Sequence, residues 1–184
     1  EGVLEVPGEI ALHHGGRLTG VHLAWRLSGP ANAPVVAALG GISAHRRVYG
    51  DKPAEGWWGE VVGPGRALDA SLVRVLSFDY LGGSGETTGP RPGEPFPSVS
   101  TYDQADLLLR LVNYLGVKAL HAIVGASYGG MVALAFAERY PDRVSEIVTI
   151  SAADRAHPMA TAWRSVERRV LRFAADCGRG SEGL

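Results

Sequence analysis

Gly125-Ala126-Ser127-Tyr128-Gly129 has the form G-x-S-x-G, with a hydroxyl between two residues that lack side chains. It stands directly after an apolar run, Leu120 to Val124, and directly before a stretch of helical pattern. That context predicts a strained strand-to-helix corner, with the Ser127 hydroxyl clear of the sheet and the glycines leaving room for backbone. A serine so placed is a nucleophile for acyl chemistry, able to form an acyl-serine that a second nucleophile resolves. The following helix would aim its first N–H groups, and the positive end of its dipole, at the charge developing on the acyl oxygen. The backbone N–H of Tyr128 is therefore the expected first oxyanion donor. A second donor is expected from the loop after an earlier central strand. Val35 to Leu39 runs into Gly40-Gly41-Ile42, which makes the N–H of Leu39 or Gly40 the candidate and places Gly40 and Gly41 beside the substrate.

A serine nucleophile needs a base, and the base needs an orienting carboxylate. His157 is the one histidine after Ser127, and Asp154 lies three residues before it. This pair stands only one strand beyond the serine, so a local loop or helix-start role is expected for it. The histidines at His13, His14, His22, His45 and His121 all precede Ser127, and their scatter has no metal-ligand spacing. Among them only His45, close behind the Gly40-Gly41 loop, is expected near the pocket. The acid and base are thus expected on sequence outside this chain, and neither a metal nor a bound cofactor is expected within it.

The elements that must carry these residues are legible as short apolar runs. Around Val3 to Leu12 and Thr19 to Leu27, polar and apolar residues alternate, which predicts an antiparallel hairpin turning at His14-Gly15-Gly16. Val35 to Leu39, Val73 to Phe78, Leu120 to Val124 and Ile147 to Ile150 are apolar on both faces and belong inside a parallel sheet. Tyr102 to Leu115 carries Ala105, Leu108, Leu109, Val112 and Leu115 at helical spacing, with Thr101 and Gln104 placed to form a capping box and Gly116 as the stop. A second helix is expected from Tyr128 to Arg139, ending at Pro141, with Ala133, Ala135 and Ala137 toward the sheet. Gly82 to Pro97, rich in Gly, Pro and Thr, reads as a loop on the surface. Beyond Ala153 the texture changes: Met159, Trp163, Val166, Val170 and Phe173 form a stripe with Arg164, Arg168, Arg169 and Arg172 interleaved, predicting a helix that leaves the sheet. Residues 1–156 are read as a core and 157–184 as the start of a separate helical segment. The sheet is expected to be incomplete in this chain.

Composition narrows the function further. The 184 residues carry 18 Lys+Arg against 19 Asp+Glu, a net charge of −1, so no basic field exists to hold nucleic acid or an anionic membrane. One cysteine excludes an internal disulfide and fits a reducing compartment, which makes cytoplasm the expected location. No apolar run approaches the roughly 20 residues needed to span a bilayer. The chain starts at Glu1 without the pattern of a signal peptide, and preceding sequence is expected to have been trimmed.

Ala38-Leu39-Gly40-Gly41, Gly63-Pro64-Gly65-Arg66-Ala67-Leu68-Asp69, the loop from Phe78 to Pro90 and Gly125-Ala126-Ser127-Tyr128-Gly129-Gly130-Met131 occur in that order. With them the chain, from about Val35 to Arg172, resembles the homoserine O-acyltransferases of the α/β-hydrolase superfamily. The resemblance implies a mostly parallel sheet with helices on both faces and an antiparallel N-terminal hairpin. It implies that Ser127 takes an acetyl or succinyl group from acyl-CoA, as co-substrate, and passes it to the hydroxyl of L-homoserine in methionine biosynthesis. From about Met159 a helical lid would begin, which also forms a homodimer contact. Asp79, at a position that usually shapes a loop in such folds, precedes the serine and is not expected to be the triad acid. The family's acid and base have no matching positions here. Leu39-Gly40-Gly41 departs from the Leu-Thr-Gly of some members, which leaves acyl donor and acceptor open. Within the same serine chemistry the other enzyme reading is a carboxylic-ester hydrolase; outside it, an inactive truncated fragment.

Overall fold

A computed structural model describes residues 1–50, 55–83, 85–91 and 93–179. The chain divides into two compact units, Glu1–Ala152 and a second beginning at Ala153, and each is taken by itself.

The first unit is built on one six-stranded sheet. Its strands are β1 (Gly2–Ala11), β2 (Arg17–Ser28), β3 (Val35–Leu39), β6 (Arg74–Phe78), β7 (Leu120–Ala126) and β8 (Val144–Ile150), while β4 (Val62–Gly63) and β5 (Leu68–Asp69) form a separate parallel pair. Across the sheet the order is β1-β2-β6-β3-β7-β8. The pairs β1–β2 and β2–β6 are antiparallel, whereas β6, β3, β7 and β8 run parallel. The expected hairpin is present, with a bulge between Val6 and Glu9 where Pro7 and Gly8 interrupt the pairing, and with Gly15 and Gly16 both at positive φ in the turn. The expectation of a mostly parallel sheet with an antiparallel hairpin is borne out, while the helices expected on both faces are found, among the described residues of this unit, on one.

All five residues of β3 are buried, as a strand apolar on both faces requires. Its residues divide between two cores: Ala37 and Leu39 join Leu76, Phe78, Leu120 and Ile123 on one face, and Ala38 joins Val75 on the other. The first face is covered by α1 (Thr101–Tyr114) and α2 (Tyr128–Arg139), which pack Leu107, Leu108, Leu111, Val132 and Phe136 into it. The second face is covered, among the described residues, by non-helical chain bearing Val48, Trp57, Trp58 and Val62, with the two indoles stacked at 5.1 Å.

Two expectations about the helices need correction. The capping box of α1 is formed by Ser100 and Asp103, one residue before the expected Thr101 and Gln104. Ser100 has the extended backbone that a cap requires (φ −109°, ψ 173°), while Gln104 is turned inward: Leu81 donates its N–H to Oε1 at 3.1 Å, and Nε2 donates to the Leu81 carbonyl at 2.9 Å. On α2 the buried face holds Val132 and Phe136 with Ala133 and Ala135, while Ala137 is only half-buried, because the face turns by a helical and not an alternating period. The Gly82-to-Pro97 loop is not a free excursion either. Thr87 is buried and accepts the Ala24 N–H at 2.9 Å, while Thr88 accepts the His22 N–H at 3.0 Å.

Asp79 closes β6 and is fully buried. It accepts the backbone N–H of Arg46 at 2.6 Å and that of Glu86 at 2.8 Å, and pairs with the Arg46 guanidinium. It therefore clips together the loops after β3 and β6, the loop-shaping role expected for it. In the second unit α3 (Pro158–Asp176) has His157 as its N-cap, the ring nitrogen accepting the Met159 N–H at 3.2 Å, which is the helix-start role expected for that residue. The stripe of Met159, Trp163, Val166, Val170 and Phe173 on α3 is exposed, as are the interleaved arginines. No helix among the described residues is long and apolar enough to cross a membrane.

Two substitutions test this account. Asp79→Ala removes the buried acceptor of the Arg46 and Glu86 N–H groups and one of the carboxylates paired with the Arg46 guanidinium, which keeps Glu86 at 2.8 Å, and is expected to cost about 3 kcal/mol of unfolding free energy in urea titration. Ser100→Ala removes the cap of α1 alone and is expected to cost about 1 kcal/mol in the same measurement.

Candidate active site

Ser127 joins β7 to α2 in the left-handed region, at φ 53° and ψ −118°. A side chain at such a φ is strained by roughly 1–3 kcal/mol unless its surroundings over-determine it. They do so here. The Ser127 N–H donates to the Ile150 carbonyl at the end of β8 (2.8 Å), and the Ser127 carbonyl accepts the N–H groups of Gly130 (3.0 Å) and Met131 (3.2 Å). The residue itself is exposed. The corner expected from the sequence is present, and its hydroxyl is not sealed in the core.

Three glycines around Ser127 answer to separate contacts. A Cβ on Gly125 would sit 2.3 Å from the Gly129 carbonyl oxygen, one on Gly129 would sit 2.3 Å from the Leu39 carbonyl oxygen, and one on Gly130 would sit 2.5 Å from Ala152 Cβ. The first turn of α2 therefore lies in backbone contact with the ends of both β3 and β7. Tyr128, at the first helical position, has no acceptor for its N–H among the described residues, as the first N–H of a helix is left without an intrahelical partner.

The loop after β3 meets this turn directly. The Gly40 carbonyl accepts the N–H of Gly129 at 2.8 Å, and it also accepts the hydroxyl of Tyr80 at 2.9 Å. Leu39 and Gly40 are buried, and a Cβ on Gly40 would sit 2.6 Å from the Trp57 ring. Gly41 is half-buried with open space where a Cβ would project, and Ile42 beyond it is exposed. The structure thus brings Leu39, Gly40 and Gly41 up to the helix that Ser127 begins.

Beside Tyr128 lies a cavity of about 260 Å³, bounded among others by Ile42, Tyr80, Leu81, Phe96, Val99 and Gln104. Ile42, Tyr80 and Tyr128 follow the carboxyl ends of the parallel strands β3, β6 and β7, the edge at which open α/β sheets bind ligands. Its walls are apolar apart from the Tyr80 and Tyr128 phenols and the Gln104 amide. Burial pushes the ionisation of both phenols up, so both stay protonated.

The histidines are placed elsewhere. His45 borders a surface cavity with Arg46, Asp79 and Glu86, where its ring accepts the Arg47 N–H at 3.2 Å. His45 was expected near the pocket; it borders this surface cavity and is not among the residues that line the cavity beside Tyr128. Asp154 and His157 belong to the second unit. Among the described residues no group of His, Cys, Asp and Glu could hold a metal ion. Sequence reasoning missed Tyr80, whose hydroxyl reaches the Gly40 carbonyl. Its position next to Asp79, at the carboxyl end of a strand parallel to β3, was the available signal.

The family model for the alpha/beta hydrolase fold matches residues 51–179. Among curated proteins the chain is 42% identical to the homoserine O-succinyltransferase of Xanthomonas campestris pv. campestris, over 90% of this chain and 44% of that protein. It is 38% identical to the L-serine/homoserine O-acetyltransferase of Streptomyces lavendulae, over 92% of this chain and 49% of that protein. The chain thus spans less than half the length of either relative. Among solved structures, the homoserine O-acetyltransferase from Staphylococcus aureus superposes with a TM-score of 0.87 at 22% identity, covering 100% of this chain and 54% of that one. Esterase E22 gives 0.84 at 24% identity, covering 97% and 54%. At these identities the superpositions speak to the fold alone. The expected resemblance to homoserine O-acyltransferases is borne out by the curated relatives, and, with the family model matching most of its length, the chain belongs to the α/β-hydrolase fold family.

Proposed function

We propose that this chain carries the nucleophile of an O-acyltransferase in which Ser127 takes an acyl group from acyl-CoA and hands it to the hydroxyl of L-homoserine. The observation that carries the reading is Ser127 itself: an exposed serine held at positive φ between a buried parallel strand and a helix N-terminus. Its Oγ attacks the thioester carbonyl as its proton passes to a base, and the carbonyl oxygen becomes the oxyanion. The C–S bond then breaks, and the CoA thiol leaves with a proton. The acceptor hydroxyl next attacks the acyl-serine as its proton passes to the base, and the Ser127 oxygen departs and takes that proton back. The Tyr128 N–H, with the N–H of Leu39 or a neighbouring glycine of the Gly40-Gly41 loop, would stabilise both oxyanions.

The base is assigned to a histidine outside this stretch, in keeping with curated relatives of which the chain covers 44% and 49%. Those relatives bear the names of a succinyl and an acetyl transferase, and one of them is named for L-serine as well as homoserine. Acetyl and succinyl donors, and both hydroxy amino acids, therefore enter the test. An acyl-serine open to water would hydrolyse, so a transferase needs a cover over its serine. We assign that cover to the segment beginning with α3, whose exposed Trp163 and Phe173 would also meet a second copy in a homodimer. Location in the cytoplasm and a place in methionine biosynthesis belong to the same proposal.

Incubation of the full-length protein with acetyl-CoA or succinyl-CoA is expected to leave an acyl adduct on Ser127 in peptide mass spectra. Ser127→Ala is expected to abolish the adduct and to lower kcat by at least roughly 10⁴-fold. Thiol release from acyl-CoA separates transfer from hydrolysis. Transfer predicts a rate that rises strongly when homoserine is added and a product carrying the acyl group. A rate indifferent to homoserine and serine would instead make the protein an ester or thioester hydrolase.

A further inference from the structure

Tyr80 lies just beyond β6, 3% exposed, with its ring fixed edge-on between Phe78 (5.5 Å) and Tyr128 (5.1 Å). Those ring contacts need no hydroxyl, and phenylalanine would make them equally. A buried hydroxyl is costly unless it is hydrogen-bonded, so the group that distinguishes tyrosine from phenylalanine here is explained by what it reaches. It reaches one atom, the carbonyl oxygen of Gly40, at 2.9 Å. That oxygen has a second donor, the Gly129 N–H of the helix Ser127 begins, at 2.8 Å. Both acceptor positions of the carbonyl are therefore occupied.

The carbonyl of Gly40 and the N–H of Gly41 belong to one planar trans peptide and point to opposite sides of it. Anchoring the carbonyl against Tyr80 and α2 therefore fixes the plane of that peptide and holds the Leu39-Gly40 backbone against the first turn of the helix, with the Gly41 N–H turned away from it. Beyond it the loop is held more lightly: the Gly41 carbonyl accepts the Ala44 N–H at 2.9 Å, but Gly41 has no side chain, its Cβ direction is open space, and Ile42 is 75% exposed. Two consecutive glycines without such an anchor would let this peptide rotate.

Resting on Ser127 as nucleophile, we propose that the Tyr80 hydroxyl is a positioning group for the oxyanion loop, holding the Gly40 carbonyl against the first turn of α2 so that the Leu39-Gly40 backbone keeps its place beside Ser127 and the charge on the acyl oxygen. Tyr80 touches neither substrate nor the reacting atoms in this role. It acts through Gly40. Burial pushes the Tyr80 phenol up in ionisation, so it stays a donor throughout the working pH range.

The test uses the full-length protein with p-nitrophenyl acetate as acyl donor, so that it does not depend on which acyl-CoA is the natural one. Methaneboronic acid serves as the oxyanion mimic, since it forms a tetrahedral anion on a nucleophilic serine. Tyr80→Phe is expected to lower kcat about tenfold, less than the loss of a whole oxyanion donor, and to raise the boronate inhibition constant by the same factor. KM should change by less than about twofold, because only the transition state uses the positioned N–H. A purely structural hydroxyl would shift melting temperature while leaving kcat and boronate inhibition unchanged, and that result overturns the proposal. Wild-type protein indifferent to boronate, together with a fully active Ser127→Ala, would sink the nucleophile reading itself. Should Tyr80→Phe fail to fold, the unsubstituted protein still answers: the Tyr80 hydroxyl proton is expected to exchange slowly in NMR and to shift when boronate binds. A resonance that stays in place overturns the proposal.

Discussion

The whole site depends on how closely the first turn of α2 approaches the backbones of β3 and β7. Side chains at 125 or 129 would overlap carbonyl groups of the neighbouring elements, so the helix can lie where it does only because both residues are glycine. That approach forces the connection between β7 and α2 into a single residue, and a single residue can turn the chain so sharply only through an unfavourable φ. Ser127 carries it. The strain is offset by hydrogen bonds on both sides of the residue, one from β8 and two from within α2. Close packing, strain and exposure of the hydroxyl are thus one fact seen from three directions.

The parallel arrangement of β6, β3, β7 and β8 explains why residues far apart in sequence meet at that turn. Parallel strands deliver all their carboxyl ends to one edge, and the chain leaving each end there becomes a neighbour of the others. Gly40, Tyr80 and Ser127 are such neighbours. The loops are then tied down by polar groups: Asp79 holds the chain at Arg46 and Glu86, Gln104 holds Leu81, and Thr87 and Thr88 hold the loop to β2. These ties are buried or nearly so, where a hydrogen bond is worth most and its loss costs most. The loops at the sheet's edge are consequently part of the scaffold and not ornaments upon it.

Most of the described strands and the helices α1, α2 and α3 were legible because burial writes a period into sequence: two for the hairpin, continuous apolar runs for β3 and β6, and the helical stripe for α1. The turn at Ser127 was legible because close backbone approach demands glycine at fixed spacing. What escaped had no such period. The two-residue strands β4 and β5 are too short to show one. The capping box was misplaced by one residue because Ser100-Thr101 and Asp103-Gln104 offer two registers, and only the inward turn of Gln104 toward Leu81 decides between them. His45 was expected at the pocket on chain proximity to Gly40, yet Trp57 donates its indole N–H to the His45 carbonyl and the chain there belongs to the opposite face. The Tyr80 hydrogen bond spans forty residues and depends on strand order, which no local pattern encodes.

One asymmetry in the sheet bears on how Ser127 is held. β3 and β7 are inner strands with buried residues, but β8 stands at the edge and has no buried residue, and Val148 and Ile150 are exposed. Yet the Ser127 N–H hangs on the Ile150 carbonyl of that strand. The strained turn is thus anchored on one side by the most deeply packed part of the sheet and on the other by its least covered strand. Local opening free energies fall with exposure of backbone hydrogen bonds and loss of apolar contacts, so β8 sets the lower bound on the rigidity of the turn. The register that pairs Ile150 with Ala126 therefore does more than extend the sheet: it sets the carbonyl that holds Ser127 at its positive φ.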